Sequence, residues 1–346
     1  IRNTNIEILR IVAMLLIIGS HLAIYGIIEN PNTEVYVIWE QGTLLNKICT
    51  CLLVPGGDIG VGVFFLISGF FLSKKREIVA LDKIIFEVFF YGITCTLFTI
   101  IFQKMMHVSV LSLNMIGKVI FLPITSNIWW FCTAYVFLIV CAPYINTLFM
   151  NVRKKGLLII VIYVVGYTFG KVFDVMYYPF IRAVWFYLVG AFISSNKYKI
   201  RKNITFWVFL LSWFFYCGST FMIGMSVSAG KEGGLLELSC KLWRSVVWGP
   251  VGSISLFLLF LDISMKVIPF INTIAQTTFG IYLVHEMPFI RNILWNHIFN
   301  LKKIYTGVLF PIMAVGIVFL IFLFGMLIDI CRMKYVEPMI QKYFLK

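Results

Sequence analysis

The chain has 346 residues, 61% of them hydrophobic and 13% charged, with a mean hydropathy of +0.95 and a formal net charge of +14. A soluble domain is roughly half apolar and about a quarter charged, so this composition excludes an ordinary soluble domain and points to an integral membrane protein. The basic residues sit in short clusters between apolar runs, with no long basic stretch, which excludes a nucleic-acid partner and reads as a topology signal.

A helix needs about 20 apolar residues to cross the hydrocarbon layer. Ten segments meet or approach that length, at roughly 5–28, 57–73, 84–103, 127–150, 156–173, 179–196, 204–225, 245–263, 272–291 and 305–331. The expected fold is all-α: a polytopic membrane protein of about ten transmembrane helices, in a single domain over 1–346. The first segment carries Arg10 and His21 and has no small-x-small cleavage site, so it reads as a retained helix and not a cleavable signal peptide. The second is short and glycine-rich, and the ninth is interrupted by polar residues.

The loops between segments set the expected orientation. With the N-terminus inside, the inner loops and tails hold 17 Lys and Arg, among them Arg2, Lys74, Lys75, Arg76, Lys197, Lys199, Lys342 and Lys346, against 10 outside. Both termini are therefore expected in the cytoplasm. The longest polar gaps, 29–56, 104–126 and 226–244, then fall outside, and 108–122 reads as an amphipathic helix on the outer surface. The eight cysteines are scattered, most of them in apolar runs, and read as buried small side chains; a bridge from Cys240 to Cys49 or Cys51 is the alternative.

Ionisable residues inside apolar helices are expensive and usually face a bundle interior or a wet cavity. Arg10 and His21 are eleven positions apart, about three turns and roughly 16 Å, with an angular offset of only about 20°, so they share a face. Glu7, three residues before Arg10, can pair with it. The first helix thus has a polar seam, with Glu7 and Arg10 toward the inner end and His21 toward the outer. The bland alternatives are an Arg10 that snorkels to the headgroups and a His21 that is a neutral packing residue. No His/Cys/Asp/Glu cluster has metal-ligand spacing, so no metal is expected.

Four motifs resemble one family. The pattern E-x-x-R-x10-H, here Glu7, Arg10 and His21, is similar to the first helix of the acyltransferase family 3 membrane proteins. "GVGVFFLISGFFL" (60–72) resembles that family's glycine-rich FF-x-x-SGF segment. "WWFCTAYVFLIVCAPYIN" (129–146) resembles a run of its exopolysaccharide-modifying branch, and "FGIYLVHEMPFIRNILW" (279–295) its G-I-Y-L-[IV]-H segment. The four occur in family order. The resemblance implies transfer of an acyl group, usually acetyl, from cytoplasmic acetyl-CoA to a hydroxyl of a cell-surface or lipid-linked carbohydrate, in the bacterial cytoplasmic membrane. It also implies that His21 and Arg10 are the essential residues and that the SG of the second motif is Ser68 and Gly69.

The chemistry of these residue types fits that implication. Acyl transfer to an alcohol needs a base, for which histidine is suited, and a donor for the developing oxyanion, for which Ser68, Trp130 and Tyr282 are candidates. A CoA-like donor's phosphates need cations, for which Arg10, Lys74, Lys75 and Arg76 are candidates, although the last three also read as plain topology signal. His285 is expected at a depth comparable to His21, with Glu286 able to orient an imidazole; the alternative is an interfacial polar residue. Ser68-Gly69 also reads as a close-packing pair that brings the second helix against the seam of the first. Glu7, Trp130, Tyr282, His285 and Glu286 complete the expected substrate-binding set. The chain departs from the family in "KKREIVALDK", where Arg76 is the only arginine and an R-x-x-R-like motif is absent. It ends soon after the tenth segment, so no fused soluble domain is expected. The rival readings are a transporter that uses Glu7, Arg10 and His21 as a proton or anion relay, and a scaffold that keeps the fold without catalysis.

Overall fold

The computed structural model describes residues 3–77, 81–126, 128–173, 175, 177–196, 201–231, 233–263 and 265–339. Arg2, Lys197, Lys199, Lys342 and Lys346, counted in the charge asymmetry, lie outside the described residues. Among the described residues every regular element is helical. Nine stretches of them are long and apolar enough to cross a membrane: α1 (Thr4–Ile28), α2 (Leu44–Leu72), α3 (Asp82–Met106), α5 (Trp130–Asn151), α6 (Lys155–Val172), α7 (Tyr178–Ser195), α8 (Lys202–Ser228), α9 (Leu235–Leu261) and α13 (Phe310–Met339). The short α4 (Leu113–Phe121) lies between α3 and α5. Between α9 and α13 run three pieces, α10 (Pro269–Gln276), α11 (Thr278–His285) and α12 (Pro288–Asn292). The protein is thus an all-α multi-pass membrane protein.

Local sequence explains several of these boundaries. Proline falls in the first turn at Pro179, Pro269, Pro288 and Pro311, where its missing N–H costs nothing. Pro55 marks a bend within α2 and opens its apolar second part. The Thr43 and Ser112 hydroxyls accept from the amides of Asn46 and Met115, capping α2 and α4. As expected for an interfacial helix, α4 buries Val119 against α3 and leaves Leu113 and Phe121 exposed.

The three pieces α10 to α12 form a broken tenth crossing. At one end of the bundle, here the proximal end, the Ile268 amide donates to Thr4 Oγ1 at 3.0 Å. At the distal end Asn30 Nδ2 donates to Asn296 Oδ1 at 2.9 Å. The chain between Ile268 and Asn296 therefore traverses the whole bundle. Parity agrees, because Arg332 near the end of α13 meets Glu87 near the start of α3, which places both described ends of the chain proximally. The ninth apolar segment, the one interrupted by polar residues, is this broken crossing. Non-helical backbone at such depth is tolerated where protein or a cavity surrounds it.

Glycines place α2 at the centre. A Cβ on Gly56 would run into the Leu16 carbonyl of α1, and one on Gly60 would stand 2.7 Å from Ala13 O. Gly69 abuts the Tyr187 carbonyl of α7, and Gly190 of α7 abuts Leu66. The glycines that bring this helix against α1 are therefore Gly56 and Gly60, while the Ser68-Gly69 pair serves the contact with α7. That corrects the sequence-based reading: Gly69 lies more than three turns beyond Gly56, where α2 has already left α1 for α7. The eight cysteines are all unbridged, so the Cys240 alternative does not hold.

Candidate active site

The periodicity of α1 sets Arg10 and His21 on one stripe, as read from sequence, and Met14 and Ile17 fall between them. Arg10 Nη1 donates to Glu7 Oε2 at 3.3 Å, and Glu7 is buried. A cavity of about 330 Å³ follows the stripe. Arg10, Met14 and Ile17 form one wall; Phe64 and Ser68 of α2, Tyr135 of α5 and Phe279 and Tyr282 of α11 form others. Its lining runs from Lys83, half exposed at the proximal end, to the buried Tyr282.

His21 lies one turn distal to Ile17, where the broken crossing brings His285 and Glu286 to it. His21 Nδ1 is 3.0 Å from His285 Nε2 and 2.9 Å from Glu286 Oε2. His285 Nδ1 is 2.6 Å from the carbonyl of Ile281, four residues earlier on α11. A carbonyl only accepts, so His285 carries its proton on Nδ1 and its Nε2 is an acceptor. His21 Nδ1 must then be the donor. Glu286 Oε2 accepts no hydrogen bond and stands beside the His21 ring as a carboxylate oxygen, while Oε1 accepts from Arg291 Nη1 at 3.0 Å. The Arg291 guanidinium caps the Tyr25 ring at 3.8 Å, and Tyr25 packs on His21 at 5.4 Å between centroids.

His21, His285 and Glu286 bring their ligand atoms within 4.8 Å of one another. The expectation that no such cluster exists is corrected here: the two halves are 264 residues apart, and spacing along the chain cannot show them. Two imidazoles and a carboxylate can ligate a metal. In this arrangement both nitrogens of His285 and Nδ1 of His21 are committed to a chain of hydrogen bonds.

The other sequence candidates fall in different places. The Tyr282 hydroxyl is buried and makes no hydrogen bond, and its ring lies 6.3 Å from that of His285. Ser68 lines the cavity, but its hydroxyl donates to Phe64 O at 2.9 Å. Trp130 lies against Arg182, 5.9 Å away, outside the cavity lining. Its neighbour Trp129 is the one that reaches the broken crossing, donating to Leu283 O at 3.1 Å. Lys74, Lys75 and Arg76 line a second proximal cavity of about 390 Å³, with Asn146 and Thr147 of α5, so they do not share a wall with Arg10. Asn146 holds that loop in place by donating to Leu72 O and Lys75 O.

Sequence reasoning missed two networks. Arg332, 1% exposed, bonds Asp329 Oδ1 at 2.7 Å and Glu337 Oε2 at 3.1 Å, and pairs with Glu87. Arg182 pairs with Asp58 Oδ1 at 3.0 Å. An arginine or aspartate within an apolar run was the available signal in both cases.

The fold and site together are those of a multi-pass helical membrane protein with a histidine pair near a cavity lined by Arg10 and Lys83. The chain belongs to acyltransferase family 3: the family model described as "Acyltransferase domain" matches residues 3–330. No curated protein and no solved structure matches it.

Proposed function

We propose that the protein is a membrane O-acyltransferase that moves an acetyl group from acetyl-CoA, entering at the proximal end, to a hydroxyl of a carbohydrate at the distal end. The proximal end is the cytoplasmic face of a bacterial cell membrane in this reading. The observation that carries it is the hydrogen-bond chain Ile281 O, His285, His21, which commits His21 Nδ1 as a donor one turn beyond the cavity-lining Ile17, so that in this reading Nε2 is the nitrogen that serves as base.

The reaction balances on these residues. The acceptor hydroxyl gives its proton to His21 Nε2 as its oxygen attacks the thioester carbonyl. The oxyanion takes a hydrogen bond from Tyr282, the one candidate donor with a buried, uncommitted hydroxyl on the cavity wall. The C–S bond then breaks, and the thiolate takes the proton from the imidazolium. Glu286, facing the His21 ring, offsets the charge that the ring carries in between. Arg10 offers a planar fork to the donor's polar groups, and about 16 Å of α1 separates it from His21, a span within reach of a pantetheine-length arm.

The test is acetyl transfer by the purified protein in detergent or nanodiscs, read as free CoA and an acetylated glycan. Accumulation of an unmodified solute in proteoliposomes, without release of CoA, would favour the transporter instead.

A further inference from the structure

A second buried polar cluster lies at the distal end, beside the histidine pair. Asp58 opens the apolar part of α2; its Oδ1 takes Arg182 Nη2 of α7 at 3.0 Å and its Oδ2 takes the Tyr216 hydroxyl of α8 at 2.5 Å. The same Nη2 donates to the Asp58 carbonyl at 3.0 Å. Arg244 of α9 stands over the Tyr216 ring at 6.0 Å and, among the described residues, pairs with no carboxylate. It sits in a widened turn, 243–248, a form frequent at functional sites.

Two guanidiniums stand around the Asp58 carboxylate; Glu29 and Glu237 also lie near Arg244, but neither pairs with it, and Glu237 is taken by Lys241. Arg182 has a side chain only 9% exposed, yet its Nε makes no hydrogen bond, and the Arg244 Nε is likewise buried and unpaired. Leaving buried cationic donors unmatched is costly unless something supplies the missing acceptor. The cluster is not fully enclosed by protein, because the Asp58 side chain keeps 23% of its exposure.

Its position ties it to the reaction centre. Gly57, next to Asp58, packs on the Ser20 hydroxyl, next to His21, so the Asp58 turn and His21 lie at one depth. Trp130 covers Arg182 while its neighbour Trp129 is bonded to the strand of chain that carries His285.

We propose that Arg182 and Arg244 form an anion subsite for the acceptor, with Asp58 and Tyr216 holding Arg182 in place, so that the acceptor glycan carries a carboxylate or phosphate close to the hydroxyl that is acetylated. As an acceptor subsite this rests on the acyltransferase reading; as an anion site it does not.

The test measures binding by the purified protein with no donor present. The probes are a polyprenyl phosphate, a tetragalacturonate, and the neutral controls polyprenol and maltotetraose. The expected result is that one anionic probe binds, the neutral controls do not, and Arg244→Gln weakens that binding about tenfold, the loss of one charge-assisted contact. Arg244 has no ion pair to lose, so the variant keeps its thermal midpoint; Arg182→Lys is the second variant, which keeps the charge and loses the fork. Tighter binding of the polyprenyl phosphate assigns the anion to a lipid carrier, and tighter binding of the tetragalacturonate assigns it to an acidic sugar. Equal binding of charged and neutral probes, or wild-type binding by both variants, overturns the subsite. Arginine-dependent binding in a protein that transfers no acetyl group overturns the acetyl-transfer reading and the acceptor role with it, while the anion site stands.

Discussion

His21 Nδ1 and His285 Nε2 meet at 3.0 Å, and the proton between them belongs to His21. That assignment follows from the far side of His285, where Nδ1 has only a carbonyl to bond. His21→Ala should therefore abolish transfer, by roughly 10²–10⁴-fold as for loss of a general base, while the protein still purifies folded from the membrane. Near-wild-type release of CoA from that variant would end the case for His21 as the base.

His285 acts through His21 and is a positioning residue. His285→Ala should lower kcat by roughly 10²–10⁴-fold, as when an imidazole is left in the wrong tautomer, and leave the KM for acetyl-CoA unchanged. His285→Gln retains an acceptor toward Nδ1 and should recover part of the rate. Equal loss in both variants, with equal loss of thermal stability, would mean that His285 only packs.

Tyr282→Phe removes a hydroxyl that bonds to nothing in the resting protein. Stability should stay the same or rise, since no partner is orphaned. If the hydroxyl meets the oxyanion, kcat falls by about 10²–10³-fold. A variant with unchanged kcat would return the search to the backbone amides exposed where the tenth crossing breaks.

Arg10→Lys keeps the charge and loses the planar fork. With Arg10 on the cavity wall, the apparent KM for acetyl-CoA should rise while the acceptor KM moves less. Steady-state kinetics with each substrate varied in turn checks this. Unchanged constants would make Arg10 an anchor for Glu7 and shift attention to the second cavity at Lys74, Lys75 and Arg76.

Arg332→Met leaves Glu87, Asp329 and Glu337 without their common cation. Breaking a buried ion network from one side costs about 3–5 kcal/mol, so the thermal midpoint should fall well before any kinetic constant is considered. The three buried cysteines, Cys51, Cys95 and Cys132, allow the midpoint to be read with a thiol-reactive dye. A midpoint within error of the wild type would show that water reaches this network.

The seam of α1 was legible because it is local: Glu7, Arg10 and His21 follow from helical periodicity alone, and the cavity along that stripe matches it. The ten apolar segments were legible for the same reason. His285 at the depth of His21, with a Glu286 able to orient an imidazole, was legible from the end of an apolar run, but their direct contact with His21 was not. That contact spans 264 residues and depends on a break in the helix that hydropathy registers only as weakness. Ser68 and Trp130 show the converse. Both are chemically suited to the centre, but Ser68 spends its proton on its own helix and Trp130 faces Arg182. The Arg182–Asp58 pair joins residues 124 apart, and nothing local in either segment names the other.

The broken crossing has a mechanical side. The piece Thr278–His285 is only 8 residues long, interrupted at Thr277 and again before Pro288, so its own hydrogen-bond ladder cannot hold it rigidly in register with α1. What holds it is a clasp on α13: Gly280 lies flush against Asp329, and Gly325 lets Ile281 approach closely. Asp329 is in turn tied to Tyr91 at 2.6 Å and to Arg332 at 2.7 Å. The alignment of the two imidazoles is therefore set by a rivet on a neighbouring rod, on the far side of α11 from the reacting atoms. On warming, that rivet should slip before the rods themselves melt. The enzyme would then lose its catalysis while its circular dichroism is still that of an intact helical bundle.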